Sequence, residues 1–313
     1  MSRFNRRTVL QGGAAFLLAA GAPPLAQAQA RRPAAFLAIG DWGRKGEHDQ
    51  RAVAKAMGRT ADEVGSRFVL SAGDNFYPGG VQSTTDPNWK ESFEDVYTAG
   101  SLQTPWFAAL GNHDYRGKPK AQIAYSAVSR RWKMPDRFYK AQDAALPPGV
   151  DVFVLDTTPM TEDFGEAFMR LSWGRISMPS PHRQLAWLDE QLARSTAPWK
   201  VVVGHHPIRS GGRHGGSAEL AQALEPLLAR HNVQVYICGH DHCLQHIKAG
   251  PTHHVCSGSG ASAGPVGRAP GTLFAAGLPG FAVFTLEGGA MRLGFRGADG
   301  RTLYEAALSQ RSA

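Results

Sequence analysis

The chain has 313 residues, and its 42% hydrophobic content is enough for one large globular core or two ordinary ones. The formal charge of +8 includes no lysine or arginine block and no basic stripe interleaved with aromatic residues, so nucleic-acid binding has no support. Three cysteines, Cys238, Cys243 and Cys256, are too few for a disulfide framework, and we expect buried free thiols.

Residues 1–30 are predicted to form a signal peptide of the twin-arginine type. Paired Arg6 and Arg7 precede the short apolar run AAFLLAAGA, and small residues close the segment. We expect cleavage after Ala28 or Ala30, export by the twin-arginine machinery and a periplasmic or secreted bacterial protein. An ordinary secretory signal is the alternative. Cleavage removes three arginines and no acids, which lowers the formal charge from +8 to +5.

Residues 31–313 are expected to form one α/β domain. Short runs of β-forming residues end in polar loops, in the order AAFLAIG, RFVLSAG, PWFAALG, DVFVLD, WKVVVG and VQVYICG. Helical spacing of apolar residues appears between several of them, over about 47–64, 181–195 and 216–231. This alternation predicts strands buried on both faces, with ligands at their carboxyl ends. No segment after the signal is long and apolar enough to predict stable membrane insertion.

Two segments depart from the alternation. Residues 157–180 lack regular periodicity but hold several large apolar side chains, which favours a packed flap. From Cys243 onward, strand runs such as THHVCSGSG, GFAVFTLEGG and AMRLGFRG are separated by Gly-rich turns. This last part of the chain is predicted to be antiparallel.

Polar side chains suited to metal binding and proton transfer directly follow the predicted strands. They are Asp41, then Asp74, Asn75 and Tyr77, then Asn112, His113 and Asp114, then His205 and His206, and finally His240, Asp241 and His242. Singly, each is a common turn former or a satisfied polar residue. Because parallel strands bring their carboxyl ends to one edge, we expect a shared site. Carboxylate, amide and imidazole ligands suit zinc, iron or manganese, and a bridging carboxylate would give a two-metal site for phosphoryl transfer.

Five blocks of sequence carry a specific resemblance. GDWG, GDNFY, GNHD, GHH and GHDH occur in the order and approximate spacing of the motifs of the calcineurin-like metallophosphoesterase superfamily. Tyr77 in the second block resembles the mark of the purple acid phosphatase branch, and the chain is similar to its short, tartrate-resistant type. The resemblance implies a four-layer αββα sandwich. It also implies hydrolysis of small phosphate monoesters at a dinuclear centre, with a metal-bound hydroxide as nucleophile.

The same resemblance implies a role for each site residue. A ferric ion would be held by Asp41, Tyr77 and His242, and a divalent iron, zinc or manganese ion by Asn112, His205 and His240, with Asp74 bridging the two. His113 would handle phosphate, and His214 is the looser match for a second histidine outside the ligand set. Either could protonate the leaving alkoxide.

Neighbouring residues and other functions leave alternatives open. We expect His206 to flank the site rather than contact phosphate, since adjacent residues at a strand end tend to point apart. Asp114 is expected to orient a ligand or to cap a turn. One alternative function is an exported phosphodiesterase or nucleotidase with two divalent metals, which Tyr77 disfavours. A phospho-ligand binding protein without turnover is the other, and the complete set of ligand types argues against it.

Overall fold

The computed structural model describes Met1, residues 34–161 and residues 180–310. Beyond Met1, the expected signal peptide lies outside the described residues, as do residues 162–179 of the flap expected over residues 157–180. Within the described ranges, no helix combines the length and the apolar character needed to cross a bilayer.

The first sheet is mixed and has seven strands. They are β1 (Ala34–Ile39), β2 (Ser66–Ser71), β3 (Trp106–Ala108), β4 (Trp132–Lys133), β12 (Gly280–Glu287), β13 (Ala290–Gly297) and β14 (Thr302–Leu308). Their spatial order is β14-β13-β12-β1-β2-β3-β4. Strands β1 to β4 are parallel, whereas β12 pairs antiparallel with β1 and continues into two further antiparallel strands. The carboxyl ends of β1, β2 and β3 therefore share one edge.

The second sheet also has seven strands. They are β5 (Tyr139–Lys140), β6 (Val150–Val154), β7 (Trp199–Val203), β8 (Val235–Cys238), β9 (Leu244–Ala249), β10 (Thr252–Ser257) and β11 (Thr272–Ala276), in the order β11-β9-β10-β8-β7-β6-β5. The predicted antiparallel pattern is correct for β9 and for β11 to β14. For β10 it is correct on one side only, because β10 pairs antiparallel with β9 but parallel with β8. The β9 strand reverses the chain, and β10 then returns between β9 and β8.

Helices complete the layers. They are α1 (Gln50–Val64), α2 (Pro119–Tyr125), α3 (Pro181–Arg194) and α4 (Ala218–Arg230). Helix α1 contacts β1, β2 and β12, while α3 and α4 pack their leucines against the second sheet. In α4 the buried leucines Leu220, Leu224 and Leu228 recur every four residues, and the Ser217 side chain caps the first turn. Apolar side chains from both sheets form one core between them, so the predicted sandwich is confirmed.

Aromatic stacking ties three strands of the first sheet together. Phe36 in β1 is fully buried and stacks on Phe68 in β2 and on Phe284 in β12, with ring centroids 4.8 and 4.6 Å apart. Offset stacking of this kind adds to the stability gained from burial alone.

Phe36→Ala should lower the free energy of unfolding by about 3–5 kcal/mol, because it leaves a cavity between the two remaining rings. Phe36→Leu, which keeps most of the volume, should cost clearly less. Urea denaturation of the metal-free protein measures both, with the half-exposed Leu273→Ala as a control expected within about 0.5 kcal/mol of wild type. Equal losses in the two Phe36 variants would contradict this account of the core.

A buried carboxylate, that of Asp156, follows strand β6. Asp156 accepts a hydrogen bond from the Tyr115 hydroxyl, which in turn accepts one from Arg137 at 2.9 Å. Burial raises the pKa of Asp156 to about 7, although Tyr115 and Arg137 act in the opposite direction. The folded protein therefore binds this proton more tightly than the unfolded chain, where an aspartate has a pKa of about 3.9.

This raised pKa predicts a pH-dependent stability. The contribution of Asp156 is fully present below about pH 4 and is lost as the pH rises towards 7, with a slope on the order of 1 kcal/mol per pH unit. Asp156→Asn should remove that part of the slope. Urea denaturation of the metal-free protein at about pH 5 and pH 7 tests it, with the exposed Asp62→Asn as the matched control. If Asp156→Asn and wild type keep parallel profiles, the carboxyl is ionised throughout.

Candidate metal centre

The centre lies where strands from both sheets end. Asp41 follows β1, Asp74 follows β2, and His240 follows β8, and each has a positive φ, of 60°, 49° and 66°. Residues other than glycine seldom adopt this left-handed conformation, and such strain is concentrated at functional sites. The chain turns sharply at each strand end, so the three side chains point back over the edge of the sheets.

Two glycines make room for this crowding. A Cβ at position 111 would overlap Asp74 Oδ1, and one at position 239 would overlap Asp41 Oδ2. The backbone at both positions therefore approaches a carboxylate more closely than any larger residue allows. Neither glycine has a positive φ, so space rather than turn geometry requires the glycines in the GNHD and GHDH blocks.

Four predicted ligands form the first donor set. The Tyr77 hydroxyl lies 2.8 Å from Asp41 Oδ1, 2.8 Å from Asp74 Oδ2 and 3.2 Å from His242 Nε2. The other His242 nitrogen, Nδ1, lies 3.2 Å from Ser262 Oγ. Both carboxylates and the phenol are buried. Three oxygens and one imidazole thus converge on one point, with a hydroxyl behind the imidazole to orient it.

The first donor set has fewer hydrogen-bond donors than acceptors. The Tyr77 hydroxyl has one hydrogen, so it can donate to Asp41 or to Asp74 but not to both. Burial, then the charges of these two carboxylates, raises the pKa of Tyr77. Burial also raises the pKa of Asp41, but the neighbouring histidines outweigh it and hold that pKa below its usual value. The donor set therefore fits a cation that replaces the shared proton.

Three further predicted ligands form the second donor set. Asn112 Oδ1 lies 3.0 Å from His205 Nε2 and 3.1 Å from His240 Nδ1. His205 donates its other N–H to the Ala72 carbonyl at 2.9 Å, which leaves Nε2 free to bind a metal. The same Nε2 is 3.6 Å from Asp74 Oδ1. Asp74 therefore lies within reach of both donor sets, as a bridging ligand must.

His206 lies directly beside two residues of the second donor set, His205 and His240. Its ring centroid is 4.9 Å from that of His205 and 4.6 Å from that of His240, and ring nitrogens of all three histidines fall within 4.8 Å of one another. Its Nδ1 is 3.0 Å from Thr157 Oγ1. The rings of His205 and His206 do not point apart, because both residues lie beyond the end of β7, but His206 does flank the predicted ligands as expected. Burial, then the nearby His205 and His214, holds the pKa of His206 well below its usual value.

The two histidines predicted to act in catalysis flank the donor sets. His113 donates from Nδ1 to the Pro78 carbonyl at 2.8 Å, and its Nε2 faces the centre, 4.0 Å from Asp74 Oδ2. Burial lowers the pKa of His113, which Asp74 partly offsets. His214 is exposed at the mouth of the centre, and its ring centroid is 4.4 Å from that of His240.

Two aspartates that are not predicted ligands fix these loops. Asp114 is fully buried and accepts hydrogen bonds from the backbone N–H groups of Gly111 and Asn75, so it joins two ligand-bearing loops. Asp241 accepts from the backbone N–H of His214 at 2.8 Å and from the Ser210 hydroxyl. Asp114 therefore has the orienting role predicted for it, and Asp241 orients the His214 loop.

Two arginines near the centre are not identified by the sequence pattern. The Arg44 guanidinium lies 3.7 Å from the centroid of the Tyr77 ring, and Arg116 lies 3.4 Å from the Pro78 carbonyl. Both line a cavity of about 320 Å³ together with members of both donor sets, among them Tyr77, Asn112 and His240. Their position within two residues of the GDWG and GNHD blocks is the signal that could have identified them.

Known proteins resemble the chain in sequence. The model of the calcineurin-like phosphoesterase family matches residues 34–244. Purple acid phosphatase 17 of Arabidopsis thaliana is 41% identical over 236 residues, which cover 73% of this chain and 68% of that protein. Human tartrate-resistant acid phosphatase type 5 is 36% identical over 296 residues, which cover 88% of this chain and 91% of that protein.

Solved structures share the fold. The Plasmodium protein GAP50, described as the anchor in the inner membrane complex, has a TM-score of 0.77 and 27% identity, with 90% of each chain covered. The purple acid phosphatase PPD1 from yellow lupin has a TM-score of 0.65 and 15% identity, covering 88% of this chain and 54% of that one. The chain therefore belongs to the calcineurin-like phosphoesterase family, and its relatives there are purple acid phosphatases, metal-dependent hydrolases of phosphate monoesters with a dinuclear centre.

Proposed function

We propose that this protein is an exported acid phosphatase of the purple type, which hydrolyses small phosphate monoesters at a mixed-metal centre. The observation that carries the proposal is the position of Tyr77, whose hydroxyl contacts two buried carboxylates and an imidazole. A phenolate is a strong ligand for ferric iron, and divalent metals in this family do not require one. The phosphodiesterase alternative, with two divalent metals, gives Tyr77 no such role.

Each donor set suits a different ion. Asp41, Tyr77 and His242 supply two oxygens and a nitrogen suited to Fe(III). Asn112, His205 and His240 supply neutral ligands suited to divalent iron, zinc or manganese. Asp74, which contacts both sets, would bridge the ions, and His206 is close enough to add a further imidazole to the second.

The protein's own side chains orient the substrate and move the proton. When bound, the two ions would polarise the phosphate and activate water for attack. His113 is held by Pro78 with Nε2 towards the centre, where a protonated imidazole can hydrogen-bond the phosphate and then protonate the leaving oxygen. His214, across the mouth, is positioned by Asp241 to share either task.

The sequence and the cavity support export and a small phosphorylated substrate. A twin-arginine signal would export the folded, metal-loaded enzyme to the periplasm or beyond, without stable insertion in the membrane. A cavity of about 320 Å³ suits small phosphorylated molecules. The mature charge of +5 favours approach of anions, and no basic stripe supports nucleic acid as a partner.

Tyr77→Phe should abolish the visible charge-transfer band of the iron-loaded protein, because the phenolate oxygen is removed while the ring remains. The visible spectrum and the metal content of the purified protein measure this. Tyr97→Phe is the matched control, since the Tyr97 hydroxyl is buried away from the centre. A colourless wild-type enzyme that is active and fully metallated without iron would contradict the proposal that Tyr77 binds Fe(III).

His113→Ala should reduce kcat by about 10²–10⁴-fold towards an alkyl phosphate and less towards p-nitrophenyl phosphate, whose leaving group needs little protonation. Both metals should be retained, because His113 belongs to neither donor set. Steady-state kinetics and metal analysis test this, with the exposed His182 of α3 changed to alanine (His182→Ala) as control. A wild-type protein that keeps its metals but hydrolyses neither substrate would instead indicate a binding or anchoring role.

A further inference from the structure

We propose that a cavity between α4 and the turn from β9 to β10 binds a small organic anion, a carboxylate on an apolar body. The cavity has a volume of about 210 Å³. The lining residues that decide its chemistry are Arg209, Glu225, Leu228, Ala229, Pro251 and His254. All nine predicted site residues are described, and none of them lines this cavity, so it is separate from the metal centre.

His254 supplies a hydrogen-bonding group that has no partner. Successive residues of a strand face opposite sides of the sheet, so His254 lies under α4 while His253 bonds to His246 on the other face. The His254 side chain is 3% exposed, its Nδ1 is buried without a partner, and no described residue forms a hydrogen bond with the ring. Leaving a buried polar group unpaired is costly, and a ligand in the cavity can recover that cost.

The His254 ring is a donor for an acceptor oxygen. Burial lowers the pKa of His254 to about 4, so the imidazole is neutral above that pH. A neutral imidazole has one N–H to donate. A carboxylate oxygen can accept that hydrogen bond without first being protonated, which makes it a suitable partner for the ring.

The charged groups around the cavity leave one positive charge. Arg209 donates from Nε and Nη2 to Glu225 at 2.6 and 2.9 Å, which neutralises both charges and does not use the guanidinium Nη1. Lys248 adds an ammonium group, which donates to the carbonyl of Pro251 at 2.6 Å. Glu225 is the one carboxylate among the described residues that line the cavity. The balance therefore favours a ligand with a single negative charge.

The opposite wall of the cavity is apolar. Leu228 and Ala229 contribute it from α4, and Pro251 contributes it from the turn. A strongly hydrated anion such as inorganic phosphate would leave this wall facing water, whereas an apolar body would cover it. Benzoate, which joins a carboxylate to a small ring, matches both ends of the cavity.

Calorimetry with benzoate on the metal-loaded enzyme tests the site. His254→Phe keeps a ring but removes both nitrogens, and it should weaken benzoate binding about tenfold or more. Benzamide, which has the same ring without the charge, should bind the wild type at least about tenfold more weakly than benzoate does. The exposed His182→Ala is the control and should bind benzoate as the wild type does. Equal binding of benzoate and benzamide would overturn the proposal, as would no benzoate binding at millimolar concentration.

A second variant tests the cavity without removing a polar group. Ala229→Leu adds volume from the half-buried surface of α4 and should also weaken benzoate binding about tenfold, because it occupies space that the ring needs. Both variants should hydrolyse p-nitrophenyl phosphate as the wild type does, which shows that they are folded. Unchanged benzoate affinity in Ala229→Leu would place the ligand elsewhere and overturn the proposal.

Metal removal separates this cavity from the metal centre. Benzoate bound under α4 should remain bound to the metal-free protein and should still be lost in metal-free His254→Phe. Binding that disappears with the metals and is unchanged in His254→Phe would place benzoate at the centre and overturn the proposal. Inorganic phosphate that binds metal-free protein as tightly as benzoate does would overturn the assignment to an organic anion. A wild-type protein that binds benzoate but hydrolyses no phosphate monoester would contradict the proposed function alone.

Discussion

The buried negative charge at the strand ends is the constraint on which the rest of the centre depends. Asp41, Asp74 and Tyr77 meet away from water with one phenolic hydrogen between them. Even with histidines nearby, burying this charge is costly, and so is the left-handed backbone that positions both aspartates. A protein gains from such an arrangement only if a cation occupies it, and the fold is therefore built around a metal centre before any substrate is considered.

Hydrogen bonds between neighbouring loops hold the ligands against this repulsion. Asp114 ties the loop after β2 to the loop after β3, and Thr157 accepts hydrogen bonds from the backbone N–H groups of His205 and His206. Asp241 holds the His214 loop in the same way. Each anchor is adjacent in sequence to a ligand or follows a neighbouring strand, so the geometry of one loop depends on that of the next. Loss of an anchor would therefore displace ligands that it never touches.

The sequence predicts those features that depend on local pattern. Strand runs that end in polar loops predict the sandwich. Because parallel strands place their carboxyl ends at one edge, the same pattern predicts that the nine site residues lie together. The pattern fails where contacts between distant segments decide the outcome. Packing partners far along the chain decide three features. They are the parallel pairing of β10 with β8, the position of the His206 ring beside His240, and the stacking of Arg44 on Tyr77. The left-handed conformation at Asp41 and Asp74 also cannot be predicted from the sequence, since aspartate does not require it.

Tyr77 contacts both the metal-binding side chains and Arg44. Its oxygen faces the ligands, and its ring face carries the Arg44 guanidinium, which attracts the electron-rich ring. A positive charge in that position favours phenolate over phenol, whereas burial and the two carboxylates raise the pKa of Tyr77. Arg116, whose contact in this segment is with the Pro78 carbonyl, does not lie over the ring, so the two arginines act on different groups although both bear the same charge.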